Sequence, residues 1–75
     1  MSSLPVVSGG ECVNALQQLG FAVVRQRGSH IILCRQSPYA QVVVPNHKEL
    51  DRGTLRAILR HAGTDVDEFV DLLGR

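Results

Sequence analysis

The sequence predicts an α+β fold, in which helices cover one face of a three-stranded antiparallel sheet. Residues 21–44 are rich in strand-forming side chains and are interrupted by short turn signals. Segments with helical spacing of apolar residues flank this block on both sides. The predicted order is therefore α-β-β-β-α, followed by a short C-terminal helix.

A capping box opens the predicted first helix. Ser8 is a preferred N-cap residue, and Glu11 stands three positions later, where its side chain can bond back to the cap. The apolar residues that follow at helical spacing are Cys12, Ala15, Leu16 and Leu19. This pattern predicts a helix over about residues 9–19, which ends at Gly20 with Phe21 folded back onto Leu16.

Two strands are predicted at residues 21–27 and 30–34, with Gly28-Ser29 between them. Glycine at the first central position favours a two-residue type II′ hairpin. A third strand is predicted at residues 41–44, after a loop that contains Pro38, and it stops at Pro45. These three strands would form a meander.

The predicted turn places His30 directly opposite Arg27, on the same face of the sheet. The next pairs on that face would be Arg25 with Ile32 and Val23 with Cys34, and Phe21 would lie on it as well. The opposite face would form the floor for the helices through Ala22, Val24, Gln26, Ile31 and Leu33. This assignment depends on register, because a shift of one residue moves side chains to the opposite face.

Two helices are predicted after the sheet. Asp51 can cap the first of them, and Gly63 ends it. Its apolar stripe consists of Leu55, Ile58, Leu59 and Ala62. Thr64 and Asp67 resemble a second capping box before a short helix whose apolar residues are Val66, Phe69, Val70 and Leu73.

The length of 75 residues predicts a single domain spanning residues 1–75. Its core would be too thin for a deep cofactor cleft, so an active site would be a surface patch and no cofactor is predicted. Cys12 and Cys34 lack metal-ligand spacing and are interpreted as buried thiols of a cytoplasmic protein. The first residues do not resemble a signal peptide, and no stretch approaches the roughly 18 apolar residues of a membrane span.

The charges are unevenly distributed along the chain. Residues 25–60 contain seven arginines and lysines against two acidic residues, whereas residues 61–75 contain four acidic residues against one arginine. The basic segment is typical of a surface that binds an anion such as RNA. The acidic segment is typical of a surface that is solvated or that contacts a protein partner. Ordinary scattered surface charge is the alternative interpretation.

His30, with Arg25 and Arg27 beside it, is the predicted catalytic residue. Cleavage of RNA without a metal needs a base for the 2′-hydroxyl, an acid for the leaving oxygen and positive charge near the phosphate. Histidine can transfer protons near neutral pH, and arginines bind phosphate and stabilise the transition state. Alternatively, His30 simply begins a strand on a solvent-exposed face.

Other residues extend this prediction. His47 could supply a second acid or base, whereas His61 is explained by the dipole at the end of its helix. The three histidines have no metal spacing, so no metal site is predicted. Lys48 and the arginine stripe (Arg52, Arg56 and Arg60, four residues apart) are candidates for contact with an RNA backbone. Tyr39, in the predicted loop, is the candidate for stacking on a base.

Apolar side chains on the helix-free face, such as Phe21, Val23 and Ile32, predict that something covers that face. The cover would be a second copy of the chain, which would make a homodimer, or another protein. Alternatively, the loop after Cys34 buries these side chains.

Several motifs resemble the HicA family, the toxins of bacterial toxin–antitoxin pairs. The similar segments are residues 4–9, Ala15-Leu16, Gly20-Phe21, residues 24–30, residues 45–47 and residues 53–63, and the Gly-Ser-His triplet at residues 28–30 is the most specific. The resemblance implies a fold like that of double-stranded RNA-binding domains (dsRBDs). It also implies a ribonuclease acting on mRNA, with His30 as the catalytic residue and Gly28 and Ser29 beside the RNA, and a HicB antitoxin as partner.

The chain departs from the family pattern at two places. Gly10 stands where relatives often have lysine, which removes a phosphate contact near the first helix. The segment from Gln36 to Ala40 differs from the usual turn there, which leaves substrate preference open. Two other functions therefore remain beside the nuclease: a module of the same fold that binds structured RNA without cutting it, and an adaptor that binds only another protein.

Overall fold

The computed structural model describes residues 3–74; Met1, Ser2 and Arg75, which entered the predictions above, lie outside the described residues. The elements are α1 (Gly9–Gln17), β1 (Ala22–Arg27), β2 (His30–Gln36), β3 (Tyr39–Pro45), α2 (Arg52–Ala62) and α3 (Val66–Leu73). The strands form an antiparallel sheet in the order β1-β2-β3. This arrangement confirms the predicted α+β, dsRBD-like fold.

The hydrophobic core lies between the helices and one face of the sheet. From the sheet it includes Ile31, Leu33, Val42 and Val44, which alternate with more exposed residues as period-2 patterning requires. From the helices it includes Cys12, Ala15, Leu16, Leu55, Ile58, Leu59, Ala62 and Phe69. The other face of β2 and β3 carries no helix.

The helix caps largely agree with the sequence. The Ser8–Glu11 capping box is present, and the Thr54 backbone N–H donates to the Asp51 side chain at the start of α2. The N-cap of α3 is Asp65, however, so the prediction of Thr64 was wrong. The Thr64 N–H donates to the Leu59 carbonyl (3.1 Å) and so belongs to the end of α2.

A β-bulge corrects the predicted pairing of β1. Arg27 pairs with His30 and Arg25 with Ile32, as predicted, but the register shifts between Val23 and Arg25. Val23 therefore pairs with Leu33, and Ala22 takes the place beside Cys34. The extra residue moves the preceding side chains to the opposite face of the sheet. Phe21 is therefore buried in the core and does not lie on the open face.

Strand β1 extends beyond the cover of the helices. All six of its residues are exposed, since α1 and α2 pack mainly over β3. The expectation that Ala22, Val24 and Gln26 would lie under the helices was therefore wrong, although it was right for Ile31 and Leu33.

The turn between β2 and β3 is tighter than predicted. Both strands extend past the expected ends, so that only Ser37 and Pro38, joined by a cis peptide bond, separate Gln36 from Tyr39. Tyr39 is therefore a strand residue paired with Gln36, not a loop residue.

Candidate active site and nucleic-acid interface

The β1–β2 turn fixes the position of His30. Gly28 has a φ of +59°, and no non-glycine residue in the described part of the chain has a positive φ. This combination fits a type II′ turn, in which only the first central residue needs a positive φ. His30 and Arg27 are directly opposite each other, which places their Cβ atoms about 5 Å apart on one face.

Hydrogen bonds on both sides hold this turn. The Gln26 side-chain amide donates to the Gly28 carbonyl (3.0 Å). The Asn46 backbone N–H donates to the Ser29 carbonyl (2.6 Å), which ties the turn to the loop after β3. The turn before His30 is therefore held by hydrogen bonds from two directions.

We define the open face as the helix-free face of the sheet. The strand register places on it Ala22, Arg25, Arg27, His30, Ile32, Cys34, Gln36, Tyr39, Gln41, Val43 and Pro45. None of these residues is acidic, and the two arginines and His30 lie together at one end of the face. That end therefore has a positive potential and exposed proton-transfer and phosphate-binding groups.

His47 follows β3 in the loop that contacts the turn. Its carbonyl accepts a hydrogen bond from the Gly9 N–H (2.8 Å), so the start of α1 holds the loop in place. The side chain is exposed and lies within electrostatic reach of Asp51. The pKa of Asp51 is lowered, chiefly because the Thr54 N–H and hydroxyl donate to its carboxylate, and to a lesser degree by the charge of His47.

The arginine stripe of α2 lies away from the open face. Arg52, Arg56 and Arg60 are exposed, whereas the apolar residues of the same helix are buried. Arg52 and Arg56 of the stripe border a groove of about 370 Å³, whose lining also includes Leu4, Val66, Asp65 and Asp67. Lys48 is exposed in the loop between β3 and α2. The arginine stripe thus lies on α2, apart from the pair of arginines beside His30, whereas Lys48 shares its loop with His47.

The structure also places Arg35 and Tyr39. Arg35 packs its guanidinium over the Phe21 ring, 4.6 Å from the centroid, and donates from Nε to the Pro38 carbonyl (3.0 Å). It therefore supports the fold rather than the basic end of the open face. Tyr39 lies on the open face. Its alternation with Ala40 and Val42 along the strand was the sequence signal that could have predicted this position.

The cysteines differ in their surroundings. Burial raises the pKa of Cys12 to about 12, so its thiol is unreactive at neutral pH. Cys34 is only half-buried, which corrects the expectation of two buried thiols, and its Sγ lies 3.8 Å from Oε1 of Gln41. Within residues 3–74, no group of three or more histidine, cysteine, aspartate or glutamate side chains could hold a metal ion.

None of the helices described here is both long and apolar enough to cross a membrane. The fold and the open face together define a small α+β domain of the dsRBD-like class. A comparison with protein-family models matches residues 9–64 to the family described as the HicA toxin of bacterial toxin–antitoxin. A comparison with curated proteins finds no match.

The chain belongs to the HicA family. The match covers most of the chain, from the first residue of α1 to the end of α2. Membership makes the protein the toxin of a toxin–antitoxin pair and so implies an antitoxin as its partner.

Proposed function

We propose that the protein is a cytoplasmic, metal-independent endoribonuclease that cuts mRNA, with His30 as its catalytic residue. One observation carries the proposal. His30 is exposed on the open face, directly opposite Arg27, and Arg25 lies two residues further along the same face. This arrangement combines a proton-transfer group with two phosphate-binding groups at the rigid end of a hairpin.

The chemistry needs no cofactor. The neutral imidazole of His30 takes the proton of an RNA 2′-hydroxyl, and the 2′-oxygen attacks the adjacent phosphorus. The bond from phosphorus to the 5′-oxygen breaks, and that oxygen receives a proton from a second acid. The products are a 2′,3′-cyclic phosphate and a free 5′-hydroxyl. General acid–base contributions of this kind are typically about 10²–10⁴-fold in rate.

Arg25 and Arg27 would bind the phosphate and stabilise its additional charge in the transition state. Gly28 and Ser29 would lie against the RNA because they form the turn between Arg27 and His30. A glycine in this turn leaves no side chain to obstruct the backbone of the substrate, and no atom lies within 4 Å of the position that a Gly28 Cβ would take.

His47 is the proposed second acid. The hydrogen bond from Asn46 to Ser29 holds its loop beside the turn, and its exposed side chain is open to a substrate bound at His30. Lys48, in the same loop, would contact a neighbouring phosphate.

The partner that we propose is a HicB-like antitoxin that binds the toxin and blocks access to His30. Release of the toxin would then slow translation under stress. The partly exposed Ile32 and Val43, next to the arginines, offer this partner, or a second copy of the chain, an apolar contact. Residues 1–75 would act as one domain in both the free and the neutralised form.

The test is to induce the protein in bacteria and to measure growth and mRNA integrity. We expect growth arrest and shortened mRNA from the wild type, but neither from His30→Ala at equal soluble expression. His61→Ala is the matched control, because His61 is an exposed histidine at the far end of α2, and it should behave like the wild type. Intact mRNA from the wild type would contradict the proposal in that host.

The second candidate function is an RNA-binding module that does not cut. The observation that favours it is the position of the arginine stripe, which offers phosphate contacts on a surface away from His30. In that case His30→Ala would matter little, whereas replacing Arg52, Arg56 and Arg60 with glutamine would weaken RNA binding. The triple variant would also reduce the salt dependence of RNA binding, because each lost phosphate contact lowers the number of counterions that binding releases.

A further inference from the structure

Tyr39 has an environment that the fold does not explain. It is the only tyrosine in the chain, and 66% of its surface is exposed. The two phenylalanines, Phe21 and Phe69, are buried in the core. Tyrosine is enriched at interfaces because it combines a large apolar ring with a polar hydroxyl.

The ring lies on the same face as His30. Tyr39 begins β3, and its side chain alternates with the buried Val42 and Val44, so it points to the open face with Gln41 and Val43. Its hydroxyl donates to the side-chain oxygen of Gln41 (3.3 Å), two residues closer to the basic end. This bond holds the side chain along β3, in the direction of the proposed active site.

The surface between Tyr39 and His30 suits unpaired bases. On β2 and β3 it consists of Gln41 and Cys34 in one row and of Val43 and Ile32 in the next, and Arg25 on β1 borders the second row beside Ile32. Val43 is 44% exposed and Ile32 is half-buried, so both present apolar surface to solvent. Arg25 and Arg27 lie at the His30 end of the open face, where a phosphodiester bond of the RNA would be cleaved.

Tyr39 and His30 are separated by a distance that several nucleotides can span. Pro45 pairs with His30, and Tyr39 lies six residues before Pro45 on the same strand. At a rise of about 3.4 Å per residue, the separation along the sheet is about 20 Å.

We propose that Tyr39 is a stacking platform for a base of single-stranded RNA that runs along the open face from the cleavage site at His30. This inference rests on the proposed function and extends it, because it makes unpaired RNA, several nucleotides long, the preferred substrate. Stacking of this kind is tolerant of sequence, since every base has a π-face. The charge of the open face favours RNA as its ligand, because the face contains arginines and no acidic residue.

The experiment measures the binding of fluorescent single-stranded RNA to the His30→Ala protein, which keeps the strand intact. Tyr39→Ala in that background should weaken the binding of a strand of about twelve nucleotides roughly tenfold or more. It should not change the binding of a strand too short to reach Tyr39. Tyr39→Phe, which keeps the ring, should bind like the parent. Val24→Ala, which shortens another exposed apolar side chain, is the matched control.

A set of long strands, each lacking one base, locates the contact. At one position, removal of the base should weaken binding to the parent protein. Removal of the same base should have no effect on binding to Tyr39→Ala, because the effects of losing the two partners of one contact on the binding free energy are not additive. Equal binding of all strands by Tyr39→Ala and its parent would overturn the inference. A loss only in the binding of an antitoxin would also overturn it.

The inference and the proposed function fail in different ways. Suppose that Tyr39→Ala, with His30 intact, cuts RNA as fast as the wild type, and that Tyr39→Ala weakens the binding of neither the short nor the long strand. Then only the proposed role of Tyr39 is wrong. If the wild-type protein neither binds nor cuts RNA, both proposals are wrong.

Discussion

At the scale of single residues, Gly9 is a glycine that leaves no room for a side chain. A Cβ atom there would lie 2.2 Å from the carbonyl oxygen of Pro45 and 3.0 Å from the Cα of Asn46. Both neighbours are backbone atoms, so a side chain can be accommodated only if α1 and the loop move apart. Because Pro45 pairs with His30, this contact connects the start of α1 with the proposed active site.

Gly9→Ala should therefore destabilise the protein although alanine is the better helix former. Overpacking of this kind costs about 1–3 kcal/mol, which exceeds the gain of at most about 1 kcal/mol in helix propensity. In a domain of this size the melting temperature should fall by about 4 °C or more in thermal denaturation.

Gly10→Ala is the control for this prediction. A Cβ at Gly10 would have only the Ser8 hydroxyl within 4 Å, at 3.9 Å, so the melting temperature should stay the same or rise slightly. If Gly9→Ala melted no lower than Gly10→Ala, the close contact between α1 and the loop would be wrong.

At the scale of elements, α2 depends on its cap. The Asp51 carboxylate accepts hydrogen bonds from the Thr54 N–H and hydroxyl, each at 2.8 Å, and these bonds lower its pKa. The folded state thus favours the ionised form. Its contribution to stability is fully present above the ordinary aspartate pKa of about 4 and is lost as the pH falls through the lower pKa of the folded state.

Asp51→Ala should accordingly lower the melting temperature at pH 7, and the difference from the wild type should shrink as the pH falls below the ordinary aspartate pKa of about 4. Asp51→Asn retains a good capping group that does not titrate, so its melting temperature should lack this component of the pH dependence. A difference between Asp51→Ala and the wild type that stayed constant down to pH 2 would contradict the role of the cap.

The elements also show what could be predicted from the sequence. Gly28 predicted the turn, and the turn alone was enough to pair Arg27 with His30. The bulge could not be predicted, because Val23 and Val24 are both good strand residues and nothing in their pattern marks an extra one. As a result, the facing of Arg25 and Arg27 was predicted correctly and that of Phe21 was not.

At the scale of the whole molecule, tertiary packing determines structural features that local sequence patterns do not predict. The extent of helix cover over the sheet left all six residues of β1 exposed. The contact between Asn46 and Ser29, which brings the loop of His47 to the hairpin, joins residues far apart in the chain and has no local signal. The proposed catalytic residue was therefore predictable from the sequence, whereas its supporting contacts were not.

The charge distribution has two parts in the folded molecule. The open face has its arginines at the His30 end, whereas the arginine stripe of α2 faces a groove that also contains acidic residues. The first surface suits a polyanion better, because Asp65 and Asp67 would repel phosphates at the groove. This contrast favours cleavage at His30 over binding along α2.

The most direct test of the central claim is cleavage of a purified RNA strand in the presence of EDTA, compared with the same strand made of DNA. We predict that the wild type and His61→Ala cut only the RNA, leaving a 2′,3′-cyclic phosphate, and that His30→Ala is slower by about 10²-fold or more. Cleavage of the DNA strand, loss of activity in EDTA, or an undiminished rate with His30→Ala would contradict this account.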